Sequence, residues 1–153
     1  MRHNMYCKIG EIRRVIRRDL AQILDIERAG FNSPWPEAKV IRFLRRHNSA
    51  GYVFAYDETV VGYLFYQLFK TRYRIINFAV HRHFRRKGIA TKLIHQLTSN
   101  LCSGRRTSID LEIRETNLEG QLFLKSCGFL AKAIVESPYS DTDEDAYLMR
   151  YRI

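Results

Sequence analysis

Cysteine is too scarce to staple this chain. Cys7, Cys102 and Cys127 are an odd number with no CxxC pair in 153 residues, which excludes a disulfide framework and makes a reducing, cytoplasmic setting the expectation. No metal-ligand spacing stands out. His81 and His83 lie two apart with no nearby thiol or carboxylate, so they read as surface histidines near a strand end and no metal is expected. Long apolar runs are missing as well. The longest, Val60 to Phe69, is broken by Gly62 and Gln67 and falls well short of the roughly 18 residues a membrane span needs. Met1 to Gly10 lacks the apolar stretch of about seven or more residues that marks a secretory leader. There is no internal repeat and no low-complexity linker. The phosphate-loop pattern GxxxxGK[ST] and the dinucleotide fingerprint GxGxxG are both absent, which sets those two nucleotide-binding modes aside.

What remains is one ordinary domain. Apolar residues make up 46% of the chain and charged residues 27%, enough for a core and too balanced for a disordered tail. Lys and Arg outnumber Asp and Glu by 26 to 16, a net charge of +10. The surplus is spread over Arg13, Arg14, Arg17 and Arg18, over Arg42, Arg45 and Arg46, and over Arg82, Arg85, Arg86 and Lys87. Such a surface favours acidic partners, among them nucleic acid, ribosomes and phosphorylated cofactors, or is simply solvated.

The hydrophobic pattern predicts a strand over Ile12–Ile16, then a helix capped by Asp19 and running to about Arg28. Phe31 to Pro36 is a rigid aromatic loop with two prolines, and a second helix follows from Glu37 to about His47. Gly51–Tyr56 and Val60–Phe69 flank a hairpin loop. Arg74–Val80 is nearly all apolar, which predicts a central strand covered on both faces. Ile89, Leu93, Leu97 and Leu101, with Ile94 beside them, place a helix over Gly88–Leu101. Ser108–Arg114 alternates, with Ile109, Leu111 and Ile113 on one face and Asp110 and Glu112 on the other. A short helix over Leu118–Cys127 ends at Gly128. Phe129–Val135 and Ala146–Ile153 close the fold around an exposed acidic loop, Pro138–Asp145. The fold class is α/β: one domain with a single mixed sheet and helices on both faces.

One segment carries chemistry. The apolar strand through Phe78-Ala79-Val80 runs into a basic loop with one glycine, Arg85-Arg86-Lys87-Gly88, and then into a helix. Helix starts leave N–H groups unpaired and carry partial positive charge. A glycine there lets an anion approach the backbone, Ala90 keeps the next turn open, and a pyrophosphate is the natural ligand. The same residues also fit a plain basic turn before an amphipathic helix.

Arg85-x-x-Gly88-x-Ala90 after that strand resembles the coenzyme A signature [Q/R]-x-x-G-x-[G/A] of the GNAT N-acetyltransferases. The resemblance runs from about Ile12 to Met149. It takes in Leu111-Glu112-Ile113-Arg114, Asn117 and Cys127-Gly128-Phe129 in the family's order. Glu144-Asp145-Ala146 with Met149, and the Phe31 loop, are similar to the ribosomal-protein-alanine N-acetyltransferases and their N-terminal acetyltransferase relatives. The resemblance implies a mostly antiparallel sheet and a bulged strand that splays from its neighbour. It also implies acetyl-CoA bound along Phe78, Ala79 and Val80, through the backbone from Arg85, Arg86, Lys87, Gly88, Ile89, Ala90 and Thr91, and near Asn117, which also suits a helix N-cap. The implied reaction is acetyl transfer to a primary amine, foremost the α-amine of a protein N-terminus, with a ribosomal protein as one such acceptor. A monomer or weak dimer is expected, with no direct nucleic-acid recognition and no membrane.

Glu112 matches the subgroup's general base, acting through water, and its face of the strand is free of the apolar residues. A pairing with Arg74 or Arg114 is the competing role, and Asp110 is the backup base. A backbone N–H near Ala79 or Val80 is the implied oxyanion stabiliser. A departure stands at Leu124, where the subgroup has the tyrosine that protonates the leaving thiolate. The thiolate leaves unaided, a water donates, or another tyrosine serves: Tyr139, Tyr66 or Tyr73. Phe31 and Trp35, with Tyr139 opposite, either wall a peptide slot or pack the loop on the sheet. Two other functions compete: acetylation of lysine or small-molecule amines, and a basic ribosome- or RNA-binding module without turnover.

Overall fold

The computed structural model describes residues 9–153. The loose lead-in expected over the first ten residues falls, through residue 8, outside them. A seven-stranded sheet has the order β1-β2-β3-β4-β5-β7-β6. Its strands are β1 (Gly10–Arg14), β2 (Ser49–Tyr56), β3 (Thr59–Leu68), β4 (Arg72–Val80), β5 (Ser108–Arg114), β6 (Leu130–Val135) and β7 (Ala146–Arg152). All neighbours pair antiparallel except β4 and β5.

Helices cover both faces, as the amphipathic patterns require. On one face, α3 (Ile89–Thr98) buries Ile89, Leu93, Ile94 and Leu97, and α4 (Leu118–Ser126) buries Leu124, against Leu64, Ile75, Ile109 and Leu111. On the other, α1 (Leu20–Gly30) and α2 (Glu37–Leu44) bury Ile23, Leu24, Ile26, Val40 and Phe43 against Val53, Tyr63 and Phe65. Non-directional apolar burial drives both layers.

β4 is the central strand, as its apolar run predicts, but only its first half is covered. It pairs with β5 at Arg72, Tyr73 and Arg74 and no further. Opposite β3 the register slips, with Tyr66 facing Ile75 and Phe65 facing Asn77, so Ile76 is an extra residue, a β-bulge. A bulge bends its strand, and beyond it β4 and β5 part. Asn77 to Val80 are accordingly half-buried. The edge of β4 toward β5 has no partner strand there, and the cleft between the two is the mouth of the candidate site.

Two local expectations shift. The first strand runs over Gly10–Arg14 rather than Ile12–Ile16, because a 3-10 turn at Arg17–Asp19 takes up the following residues. Asp19 stands at the start of α1 but makes no side-chain cap bond there. Its carboxylate instead accepts the Ile16 N–H at 2.8 Å and both ends of the Arg13 guanidinium at 2.7 and 2.8 Å. Burial alone would raise this carboxyl, yet the bonds from Arg13 and Ile16 hold it below its ordinary range.

Candidate active site

The basic loop has the geometry of an anion cradle. Arg86 and Gly88 both adopt the left-handed conformation, with φ of 60° and 76°, on either side of Lys87. Turns of this kind gather successive N–H groups on one side. Among the described residues, no backbone N–H from Arg85 to Thr91 donates to a protein acceptor. A Cβ at Gly88 would meet nothing within 4 Å, so the space over the start of α3 is open to a ligand. Arg86, Lys87 and Gly88 are exposed, whereas Ile89 is buried and offers only its backbone. Arg85 is tied down: its Nε donates to the carbonyl of Val80 at 3.2 Å.

The open edge of β4 leads from this loop into the cleft. His81 N–H bonds the carbonyl of Val61. By the alternation of an antiparallel ladder, Ala79 then turns its N–H toward β3, while Phe78 and Val80 turn theirs toward the cleft. Of the two candidate oxyanion donors, Val80 faces the open side. Asn117 is the N-cap of α4, its side-chain oxygen accepting the Gly120 N–H at 2.9 Å.

Glu112 lies on β5 where the cleft opens. Its Oε1 accepts Arg74 Nη2 at 2.6 Å, and its side chain is 26% exposed. Arg74 is the last residue of β4 that pairs with β5, so this ion pair sits at the apex of the splay. Oε2 accepts no hydrogen bond from the described residues. The pairing with Arg74 and an available carboxylate oxygen therefore coexist: one oxygen orients the group and the other is left without a protein partner.

Asp110 does not serve as a backup base. It is 5% exposed and held by Arg150 Nε and Nη2 at 2.6 and 2.8 Å, with Arg72 Nε at 3.6 Å. Its role is to close the sheet between β4, β5 and β7. Because Arg150 keeps some solvent contact, Asp110→Asn should cost about 2 kcal/mol, less than the roughly 3–5 kcal/mol of breaking a fully buried pair. Urea unfolding measures the loss, and kcat should stay within about threefold.

Among the tyrosines proposed for the missing acid, Tyr66 and Tyr73 are buried in the core, Tyr66 stacked on Tyr52 and edge-on to Tyr73. Neither reaches the cleft. Leu124 is fully buried on the inner face of α4 and donates no proton. Tyr139 is half-buried in the loop between β6 and β7, with the Arg114 guanidinium 3.8 Å from its ring centre. Burial raises its phenol above the ordinary value. Arg114 opposes that shift, and the carboxylates of Glu112, Glu144 and Asp141 add to it. The group stays protonated through neutral pH.

The acidic loop is largely neutralised from within. Arg114 binds Glu144 at 2.6 Å and Asp141 at 2.9 Å, and Glu144 also accepts Thr116 Oγ1 at 2.5 Å. Asp141 in turn accepts Ser33 Oγ at 3.1 Å, which brings the Phe31–Pro36 loop up against the loop that carries Tyr139. Phe31 is exposed. Trp35 packs its ring on Phe43 and Phe65, with Lys39 over its face, so the indole builds the loop's base and Phe31 is the aromatic left at the surface.

Glu27 was not legible as part of this site. It is buried on α1, bonded to Tyr63, to Asn77 and to the backbone of Trp35. Two signals were present: helical spacing puts Glu27 on the apolar face four residues after Ile23, and Asn77 is the lone polar residue of an apolar run. Buried polar groups of that kind need partners. Among the described residues there is no cluster that could hold a metal ion and no helix long and apolar enough to cross a membrane.

Comparison with known proteins bears directly on this geometry. A family model described as Acetyltransferase (GNAT) family matches residues 20–129. An uncharacterized N-acetyltransferase of Methanocaldococcus jannaschii is 30% identical over 139 residues, covering 90% of this chain and 88% of that protein. An N-alpha-acetyltransferase of Saccharolobus solfataricus is 26% identical over 144 residues, covering 86% of each. The crystal structure of the ribosomal-protein-S18-alanine N-acetyltransferase of Escherichia coli superposes with a TM-score of 0.85 at 22% identity, covering 95% of this chain and 94% of that one.

Proposed function

We propose an acceptor for a chain that belongs to the acetyltransferase (GNAT) family and is an acetyl-CoA-dependent N-acetyltransferase: the α-amino group of a protein N-terminus. The observation that carries the proposal is the apex of the cleft. There Glu112 is oriented by Arg74, with Oε2 free of hydrogen bonds among the described residues, and the loops that carry Phe31 and Tyr139 are joined by the Ser33–Asp141 bond. The similarity to the archaeal N-alpha-acetyltransferase supports it. A ribosomal-protein terminus is the narrower form, suited to a chain of net charge +10.

The residues present fit the acetyl donor. The unpaired N–H groups from Arg85 to Thr91 hold its pyrophosphate, and the open edge of β4 at Phe78 and Val80 pairs with its pantetheine arm. When bound, acetyl-CoA supplies an acyl thioester open to attack by a neutral amine. A peptide α-amine has a pKa of about 7.7 to 8.0 against about 10.4 for lysine, so the base has little to remove. Glu112 Oε2 takes that proton through water. The N–H of Val80 holds negative charge as it develops in the cleft. Tyr139, kept neutral and close enough to Glu112 to feel its charge, would protonate the coenzyme A thiolate released when the C–S bond of the thioester breaks.

Tyr139→Phe should lower kcat about tenfold or more, the lower end of general-acid contributions, and leave the dissociation constant for acetyl-CoA within twofold. Steady-state kinetics with calorimetry measures both, and an unchanged kcat removes Tyr139 from the proton path. The acceptor itself is tested with acetyl-CoA and short peptides varied at the first residue, with product located by tandem mass spectrometry. Label on the α-amine supports the proposal. Product confined to small amines refutes it, and the internal neutralisation of Asp141 and Glu144 by Arg114 argues against a cation-attracting acidic rim of that kind.

A further inference from the structure

Glu27 takes part in none of the proton transfers above, yet it is one of the few buried charges in the molecule, at 2% exposure. Among the described residues no lysine or arginine pairs with it. Its partners are three donors from three pieces of the fold. Oε1 accepts the backbone N–H of Trp35 in the Phe31–Pro36 loop at 2.9 Å. Oε2 accepts the hydroxyl of Tyr63 on β3 and Nδ2 of Asn77, the latter at 2.9 Å. Asn77 Nδ2 also lies 3.3 Å from the Tyr63 hydroxyl oxygen. A carboxylate is acceptor-only, and burying one is costly unless every oxygen is satisfied. Three converging donors meet that requirement.

The placement matters more than the count. Asn77 directly follows the bulge at Ile76, at the start of the half of β4 that parts from β5. Trp35 is the base of the loop whose middle residue, Ser33, is fastened to Asp141. α1 is thus bolted through one side chain to the strand that presents the cleft backbone and to the loop that bounds the slot. We infer that Glu27 is a positioning residue, fixing the height of the 31–36 loop over the bulged half of β4 and so the placement of the acceptor amine against the reacting thioester. The inference rests on the acceptor role of that loop.

The test compares four substitutions. Glu27→Asp keeps the charge but is one methylene short of its three partners, and Glu27→Met keeps the bulk and removes both acceptors. Both should raise the peptide KM about tenfold or more, with kcat lowered as well, and leave the acetyl-CoA dissociation constant within twofold. Glu27→Gln should recover most of the loss, because its carbonyl can face Trp35 N–H while the Asn77 amide turns over to accept from its NH2. Tyr63→Phe removes one donor and leaves the loop anchor; it should lower the melting temperature yet keep KM and kcat within twofold. Peptide kinetics unchanged in both Glu27→Asp and Glu27→Met would overturn the inference, as would an equal kinetic loss in Tyr63→Phe. Amide exchange gives a reading independent of turnover. The Trp35 amide should exchange at least tenfold faster in Glu27→Asp than in the parent, and equal rates would refute the anchor. A parent that acetylates no peptide defeats the acceptor proposal instead, and the exchange result still decides whether Glu27 holds the loop.

Discussion

Glu112→Gln should lower kcat at least a hundredfold and leave acetyl-CoA affinity within about twofold. The size follows from what general-base removal costs, between about 10² and 10⁴ in rate. The selectivity follows from location. Glu112 lies at the apex of the splay, opposite Arg74, and the N–H groups proposed to hold the pyrophosphate belong to the loop after the far end of β4. Glutamine keeps the shape and still accepts a hydrogen bond from Arg74 Nη2, so the cleft does not collapse. The lost rate should grow less severe as pH rises, because an amine already deprotonated needs no base. Pre-steady-state rates across pH 6 to 9, with calorimetric titration of acetyl-CoA, read both halves of the prediction. Equal rates in variant and parent would take Glu112 out of the mechanism.

The second large effect runs the other way. Gly88→Val should weaken acetyl-CoA binding by about thirtyfold or more, roughly 2 kcal/mol, with little change in rate at saturating donor. Two costs combine. Gly88 has φ of 76°, a conformation that costs an L-residue roughly 1–2 kcal/mol and a β-branched one more. The Cβ would also enter the open space over the N-terminus of α3, where no protein atom lies within 4 Å. That space is what a pyrophosphate needs to approach the backbone. Gly88→Ala should fall between parent and valine. Thermal melts should show both variants folded, because the loop is exposed and the core beneath it is untouched. A valine variant that binds acetyl-CoA like the parent would mean that the anion sits elsewhere.

The parts of this molecule that could be read from the chain are those whose cause is local. The apolar stripe of Ile89, Leu93, Ile94 and Leu97 became the buried face of α3, and the alternation of Ser108–Arg114 put Glu112 on the polar face of β5. Gly128 ends α4 with φ of 93°, as a left-handed cap should. What escaped was set across long stretches of chain. The alternation leaves Arg74 and Arg114 equally eligible to pair with Glu112, and only the three-residue contact of β4 with β5 selects Arg74. Asp110 and Glu112 look alike in the sequence. The arrival of Arg150 from β7 buries one and leaves the other at the cleft. The bulge at Ile76 has no side-chain signature in an otherwise apolar run. Asp19 looks like a cap because caps are local, but Arg13 folds back from β1 and claims its carboxylate.

The most direct measurement uses two peptides that differ at a single group. One carries a free α-amine and an internal lysine; its twin has the α-amine already blocked and the same lysine. Incubated with the protein and acetyl-CoA, the first should gain a single acetyl group on its α-nitrogen at a rate that saturates with peptide, and the blocked twin should remain unmodified. Acetylation of the lysine at comparable rates in both peptides would contradict the account.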